Sequence, residues 1–293
     1  MIDILCFLCG DVADPFERHP EGPWCEDCLP KRGLKRINTK TGHYYKLDGR
    51  RVSGVTTLIG NGMPKLNLID WAARTVAEYV ADNPAEIASL RGAGRQQLVD
   101  FLKTRHTAIR DQAGARGTDV HTYAQRFLSG EDELTVPDEL IGYVEACVAF
   151  LDEWQLVPVL VETTVASRMW QYCGTFDVVG DVYDGTRRIV DWKTGASGIW
   201  GETGLQLAAY AGADFYHHVD GTERRVRDLA IDKGLAVHLK PDGTYDAFDT
   251  VIDPSAFKKF QHVATVARLA RTLKADLIGP ALPRPNTSQE NVA

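Results

Sequence analysis

The sequence predicts a mixed α/β protein, with a strand-rich middle between helical stretches and a small metal-held module at the N-terminus. Three observations carry this prediction. Amphipathic helical periodicity runs through 138–154 and 254–274. Between them, three segments rich in β-branched residues are bounded by turn signals. Four cysteines crowd the first tenth of the chain in a C-x2-C-x15-C-x2-C pattern.

The 293 residues are 44% hydrophobic and 25% charged, enough to bury a sizeable core and unlike a disordered or collagenous chain. Lys+Arg is 33 against Asp+Glu 40, a net charge of −7, which gives no whole-chain footprint for coating nucleic acid but leaves room for a local basic patch. No run approaches the roughly 18 apolar residues that a membrane span needs. The opening MIDILCFLCGD is acidic and interrupted by cysteines, unlike a signal peptide, so a cytoplasmic, reducing location is expected.

In that setting Cys6, Cys9, Cys25 and Cys28 read as two knuckles closing a tetrahedral Zn²⁺ site, and the turn-rich segment between them depends on the metal for stability. The alternatives are free thiols or two disulfides. His19 lies between the knuckles and reads as surface.

From Lys31 to Arg51, eight basic residues face one acid, Asp48, with Tyr44 and Tyr45 interleaved. HYYKLDGRRVSGVTTLI reads as a β-hairpin turning at Asp48-Gly49. Its charge fits either a solvated ribbon face or a phosphate-contacting patch.

After Pro64 the chain reads as helical, with Leu68, Trp71, Ala72, Thr75, Val76 and Tyr79 on one face. A second helical stretch spans about 95–127, with a break expected near Gly114–Gly117. In 138–154, Leu140, Tyr143, Val144, Cys147, Val148 and Leu151 share a face, and Pro158 is expected to end that helix. Strands are expected at 159–167, 174–183 and 187–195, with a hairpin turn at Asp184-Gly185. A helix over 201–218, strands at 226–239 and 245–252, and a last helix at 254–274 complete the pattern. The Pro-rich tail from Gly279 reads as disordered.

Each of the three middle strands delivers an acid to an apolar setting: Glu162, Asp177 and Asp191. Buried carboxylates are costly unless they are paired or bind a metal, and hard oxygen ligands suit Mg²⁺ or Mn²⁺. Lys193 projects to the same strand face as Asp191, placed to steer a water or steady charge on a phosphate. Singly, each has an ordinary reading: a strand-edge acid, a turn acid, a same-face ion pair. Gln206 and Tyr210 share a helix face, and His121 follows Gly117 by about one turn.

Taken together, GTFD, IVDWKTG, LQLAAY and RGTDVHTYAQRF resemble the motifs of the PD-(D/E)XK nuclease superfamily, in its RecB-like exonuclease branch. The resemblance covers about residues 42–275. It implies a restriction-endonuclease-like fold, a mixed sheet flanked by helices, over 34–278; the N-terminal cysteine pairs are not part of that pattern and resemble a zinc ribbon at 1–33, and the composition of 279–293 reads as a disordered tail. It also implies a metal-dependent DNA exonuclease, with Glu162, Asp177, Asp191 and Lys193 catalytic. His121, Asp177, Asp191 and the Trp192 backbone carbonyl would ligate Mg²⁺ or Mn²⁺, and Gln206 and Tyr210 would contact substrate or the lysine. By the same analogy the partners are DNA and a recombinase or single-strand annealing protein, with no membrane. The rival readings are a structure-specific endonuclease of the same superfamily and an inactive DNA- or partner-binding module. Two departures stand out: Phe176, not Pro, precedes Asp177, and no Cys follows Cys173, so the iron–sulfur arrangement of the CRISPR-associated relatives is impossible here.

Overall fold

The computed structural model describes residues 33–39, 42–131 and 134–282, with the backbone of two short strands before them. These two, β1 (Arg18–His19) and β2 (Gly22–Pro23), pair antiparallel. Cys6, Cys9, Cys25 and Cys28, the expected zinc ligands, lie outside the described residues, as do Lys31, Arg32, Lys40 and the tail from 283.

The main sheet is built around a long antiparallel hairpin, β6 (Val157–Ser167) and β7 (Tyr172–Asp181). On the far edge of β7 two different partners attach. At its start, β5 (Arg50–Gly54) runs parallel through Ser53↔Tyr172 and Gly54↔Cys173 and continues antiparallel into β4 (Gly42–Leu47) and β3 (Leu34–Thr39). At its end, β8 (Arg187–Lys193) joins antiparallel from Val178↔Val190 to Asp181↔Arg187. Residues 174–177 therefore line a fork in the sheet. Beyond β8, β11 (Lys233–Leu239) pairs parallel and β12 (Tyr245–Thr250) antiparallel. On the other side, β9 (Phe215–His217) and β10 (Glu223–Arg225) extend the end of β6.

Helices cover both faces. Against one face pack α1 (Val55–Gly62), α7 (Gly201–Ala211) and α8 (Pro254–Leu277), burying Val55, Leu58, Leu207 and Phe260 on Tyr172, Phe176 and Ile189. Against the other lie α5 (Arg105–Leu128) and α6 (Ile141–Glu153), burying Val120, Cys147 and Phe150 on Val178, Trp192 and Leu235. A third cluster joins Leu34, Tyr45 and Leu47 to Cys173 and Phe215, so the basic ribbon is part of the core. Cys147 and Cys173 are both buried free thiols. No helix among the described residues is long and apolar enough to cross a membrane.

Local chemistry explains the helix starts. Asp253 Oδ1 accepts from the Ala256 N–H at 2.9 Å, and Pro254 follows as the first helical residue of α8. Between α1 and α5 the chain makes an excursion: α2 (Leu66–Asp82), α3 (Pro84–Ala93) and α4 (Arg95–Leu102), with no fully buried residue. It is held to α5 by Trp71 against His106 and by Arg105 over Phe101 at 4.0 Å.

Several boundaries differ from the sequence pattern. The hairpin segment becomes helical at Val55, since VTTLIG turns its apolar side onto α7 and α8. The long helical stretch breaks at Lys103–Thr104. Gly114 and Gly117 stay helical because each costs only about 1 kcal/mol in a helix held by packing. Pro158 lies inside β6, next to a register shift that absorbs its missing N–H. The expected helix over 201–218 ends at Ala211, and Phe215–His217 is a strand because β6 offers an edge to pair. The expected strand at 226–239 splits: Val226–Leu229 is a 3-10 turn, closed by Ala230 at φ 50. Helix 138–154 opens with a 3-10 turn at Asp138–Leu140.

Helix α1 approaches α8 through Gly62, where a Cβ would lie 2.2 Å from the Val263 carbonyl oxygen. Gly62→Ala is expected to destabilise the fold by about 1–3 kcal/mol, read from the midpoint of urea unfolding.

Candidate metal and phosphodiester site

The fork creates the site. Where β7 and β8 diverge, the Trp192 N–H finds a side chain in place of a ladder carbonyl: it donates to Asp177 Oδ2 at 2.8 Å. The other Asp177 oxygen, Oδ1, lies 3.1 Å from His121 Nδ1. His121 Nε2 lies 3.0 Å from the Trp192 carbonyl oxygen. Both contacts are to acceptors, so both ring nitrogens carry protons and His121 is an imidazolium. Helix α5 thus supplies a cation that bridges the Asp177 carboxylate and the backbone of β8.

Asp191, one residue before Trp192, turns to the α7 side. Its Oδ1 accepts from Gln206 Nε2 at 2.7 Å, and its Oδ2 forms an ion contact with Lys193. Lys193 therefore serves as the charged partner of this buried oxygen. Lys193 Nζ also donates to Gln206 Oε1 at 3.4 Å. One turn on, the Tyr210 hydroxyl lies 3.2 Å from Gln206 Nε2. Tyr210 is buried, so it positions Gln206 and is not itself presented to a substrate. Gly174 of the GTFD motif makes room for it: a Cβ there would lie 2.3 Å from Tyr210 Cε1. At Gly117, by contrast, a Cβ would meet only Thr194 Oγ1 at 3.5 Å, so close approach does not require that glycine.

Glu162 faces the same point from β6. The flanking pairs Val161↔Val178 and Thr163↔Phe176 set it across from Asp177. Its φ of 43 is left-handed, a strained conformation for a non-glycine residue within a strand. Ligand atoms of His121, Glu162 and Asp177 all lie within 4.8 Å of one another.

The electrostatics follow from this packing. Burial, reinforced by the Asp177 charge, pushes Glu162 up to about 7. Burial opposes a charge on His121, but the adjacent Asp177 charge and hydrogen bond outweigh it and push the imidazole up to about 9. Asp177 stays below the usual carboxylate range, since His121 and Lys193 overcome its burial. Asp191 lies above that range because burial and Asp177 outweigh the Lys193 charge.

The structure therefore brings together Glu162, Asp177, Asp191, Lys193, His121, Gln206 and the Trp192 carbonyl. Among the described residues, His121, Glu162 and Asp177 offer one imidazole and two carboxylates close enough to share one ion, while Asp191 is held by Lys193 and Gln206 beside them. To ligate, His121 must give up a proton and one of its two contacts, so binding is coupled to proton release.

Four supporting residues, Tyr45, Thr164, Thr175 and His238, make contacts that the sequence reading did not assign. Tyr45 OH lies 3.0 Å from Thr175 Oγ1, which in turn lies 3.1 Å from Thr164 Oγ1, tying the ribbon to both strands of the central hairpin. His238, beside Lys193 in the β8–β11 register, holds the Gly195 carbonyl at 2.8 Å and anchors the loop after the lysine. No sequence signal marks these contacts, because each depends on strand register.

Glu162 and His121 both bind protons more tightly in the folded than in the unfolded state. The Glu162 contribution fades as pH rises from about 4.5 through about 7. That of His121 is fully present below 6.5 and fades through about 9. Both act in the same direction, so in chelator the protein is expected to lose a few kcal/mol, roughly, from mildly acidic to alkaline pH. Urea unfolding at stepped pH measures this. Glu162→Gln is expected to reduce the loss between about pH 4.5 and 6.5 and to keep the loss toward pH 9.

No protein-family model matches the chain, and no curated protein matches it. Among solved structures, one described as "Crystal structure of SSO0001" aligns at 12% identity and a TM-score of 0.28, covering 77% of this chain and 76% of that one. At that score the likeness carries no argument about fold or function.

Proposed function

We propose that the chain is a metal-dependent DNA exonuclease with a restriction-endonuclease-like fold, a RecB-like member of the PD-(D/E)XK nucleases. The observation that carries this reading is the convergence, at one fork, of Asp177, Asp191 and Lys193 with His121 from a separate helix. A structural ion-pair cluster alone has no need of a third carboxylate, Glu162, held opposite Asp177 in a strained backbone conformation.

In this reading Asp177, Asp191, His121 and the Trp192 carbonyl hold Mg²⁺ or Mn²⁺, with Glu162 beside them. The ion, when bound, acidifies a water and offsets charge on the scissile phosphate. Lys193 steadies the negative charge that develops during in-line attack, and Gln206 holds the Asp191 carboxylate and the Lys193 ammonium in register. Glu162, poised near neutrality, accepts a proton from the attacking water. The four N-terminal cysteines hold a structural Zn²⁺ apart from this chemistry. The biological setting, by analogy with the family, is recombination or end resection in the cytoplasm beside a recombinase or annealing protein.

Asp191→Asn keeps the side chain's shape and removes its charge. With Lys193→Ala it is expected to lower cleavage of end-labelled linear DNA by about 10²–10⁴-fold. Wild-type protein should need Mg²⁺ or Mn²⁺, bind without turnover in Ca²⁺, fall silent in EDTA, and spare closed circular DNA. Cutting of circles would make it an endonuclease, and binding without cleavage in any metal would make it an inactive module.

His121→Ala is expected to raise the Mg²⁺ concentration for half-maximal activity by about 10-fold or more. A metal titration of activity at fixed DNA checks this, with thermal melting in chelator reporting separately on the fold.

A further inference from the structure

The ribbon of β3, β4 and β5 places its cations in a line. The register sets Lys35 across from Lys46, and Lys46 across from Arg51, so three positive side chains share the outer face. Like charges directly opposite one another destabilise a sheet. Among the described residues no ion pair offsets any of the three. The opposite face of the same strands carries Leu34, Tyr45 and Leu47 into the core, so the ribbon cannot turn to spread these charges.

Beside this row lies a cavity of about 370 Å³, lined by Tyr44, Arg51, Ser53, Thr56, Thr57 and Arg271 among others, with no acidic residue in its wall. The Arg51 guanidinium sits over the Tyr44 ring at 4.6 Å. Arg271 reaches in from α8 and donates to Ser53 Oγ at 3.3 Å. Arg268, a turn earlier, turns away to donate to the Trp170 and Gln171 carbonyls, leaving Arg271 as the α8 cation at the cavity. The cavity, rather than the outer face, is tied to the fork: Tyr45 in its wall bonds Thr175, two residues before Asp177.

We propose that this outer ribbon face and the adjoining cavity bind the phosphate backbone of the DNA strand entering the fork. The inference rests on the nuclease reading. Guanidinium groups and hydroxyls recognise phosphate oxygens, and the half-buried Tyr44 ring with its Arg51 cap lies at the edge of the same surface. Cations on three neighbouring strands, about 4.8 Å apart, extend over about 10 Å. That length suits a polyanion better than a single small anion.

The test uses the full chain in Ca²⁺ with a labelled single-stranded oligonucleotide, titrated at several salt concentrations. Arg51→Gln with Arg271→Gln is expected to flatten the slope of log K against log salt by about 1.4, two contacts at about 0.7 each. Arg51→Lys with Arg271→Lys should keep the wild-type slope, since charge is retained. Lys35→Gln with Lys46→Gln should flatten it by a similar amount, with a melting temperature equal to or above wild type as repulsion is relieved. A wild-type slope in both glutamine variants, in a chain that still cleaves DNA, overturns the phosphate site and leaves the nuclease reading intact. A wild-type chain that neither binds nor cleaves DNA overturns both.

Discussion

The divergence of β7 and β8 at Asp177 is the constraint on which the site depends. Two strands that stayed paired would bond Trp192 to a backbone carbonyl and leave its own carbonyl inside the ladder. Because they part, Asp177 Oδ2 takes the Trp192 N–H and His121 takes the carbonyl. Buried backbone groups need partners, so the fork obliges side chains to supply them, and those side chains are the charged ones. The apolar packing on either side, Phe176 and Ile189 toward α7 and Val178 and Trp192 toward α6, holds the strands in this arrangement.

Charge balance sets the chemistry within the fork. Three carboxylates meet two cations, His121 and Lys193; Asp177 and Asp191 are buried, while Glu162 and both cations are half-buried. Asp177, touched by His121, remains ionised; Glu162, strand-opposite, is pushed toward neutral pH because burial and the Asp177 charge outweigh the nearby His121 and Arg36. The same environment therefore yields one carboxylate that holds charge and one poised to exchange a proton near neutral pH. Gln206 links the second acid to the lysine, and buried Tyr210 in the gap left by Gly174 keeps Gln206 in place.

The ribbon serves both stability and surface charge. Its inner side, Leu34, Tyr45 and Leu47, closes the core over Cys173, while its outer side concentrates Lys35, Lys46 and Arg51. On a chain with net charge −7 that concentration is local, and α8 adds Arg271 to it from the opposite end of the sequence.

The sequence by itself determined the order of the middle strands, the turn at Asp184-Gly185, the existence of α6 and α8 and most of their buried faces, though Val148 and Leu273 are exposed, and the spacing of Glu162, Asp177, Asp191 and Lys193. These are local properties: alternation, turn residues and helical periodicity act between residues a few positions apart. Only the tertiary structure decided what depends on a distant partner. His121 meets the Trp192 carbonyl across 71 residues. Glu162 adopts its left-handed conformation opposite Asp177, and Phe215–His217 leaves a helical pattern for a strand because β6 offers an edge. VTTLIG likewise coils where a strand was expected, as α7 and α8 reward a helical apolar face. Register and long-range packing carry no imprint in a local window, so the acids were legible in the sequence and the fork that gathers them was not.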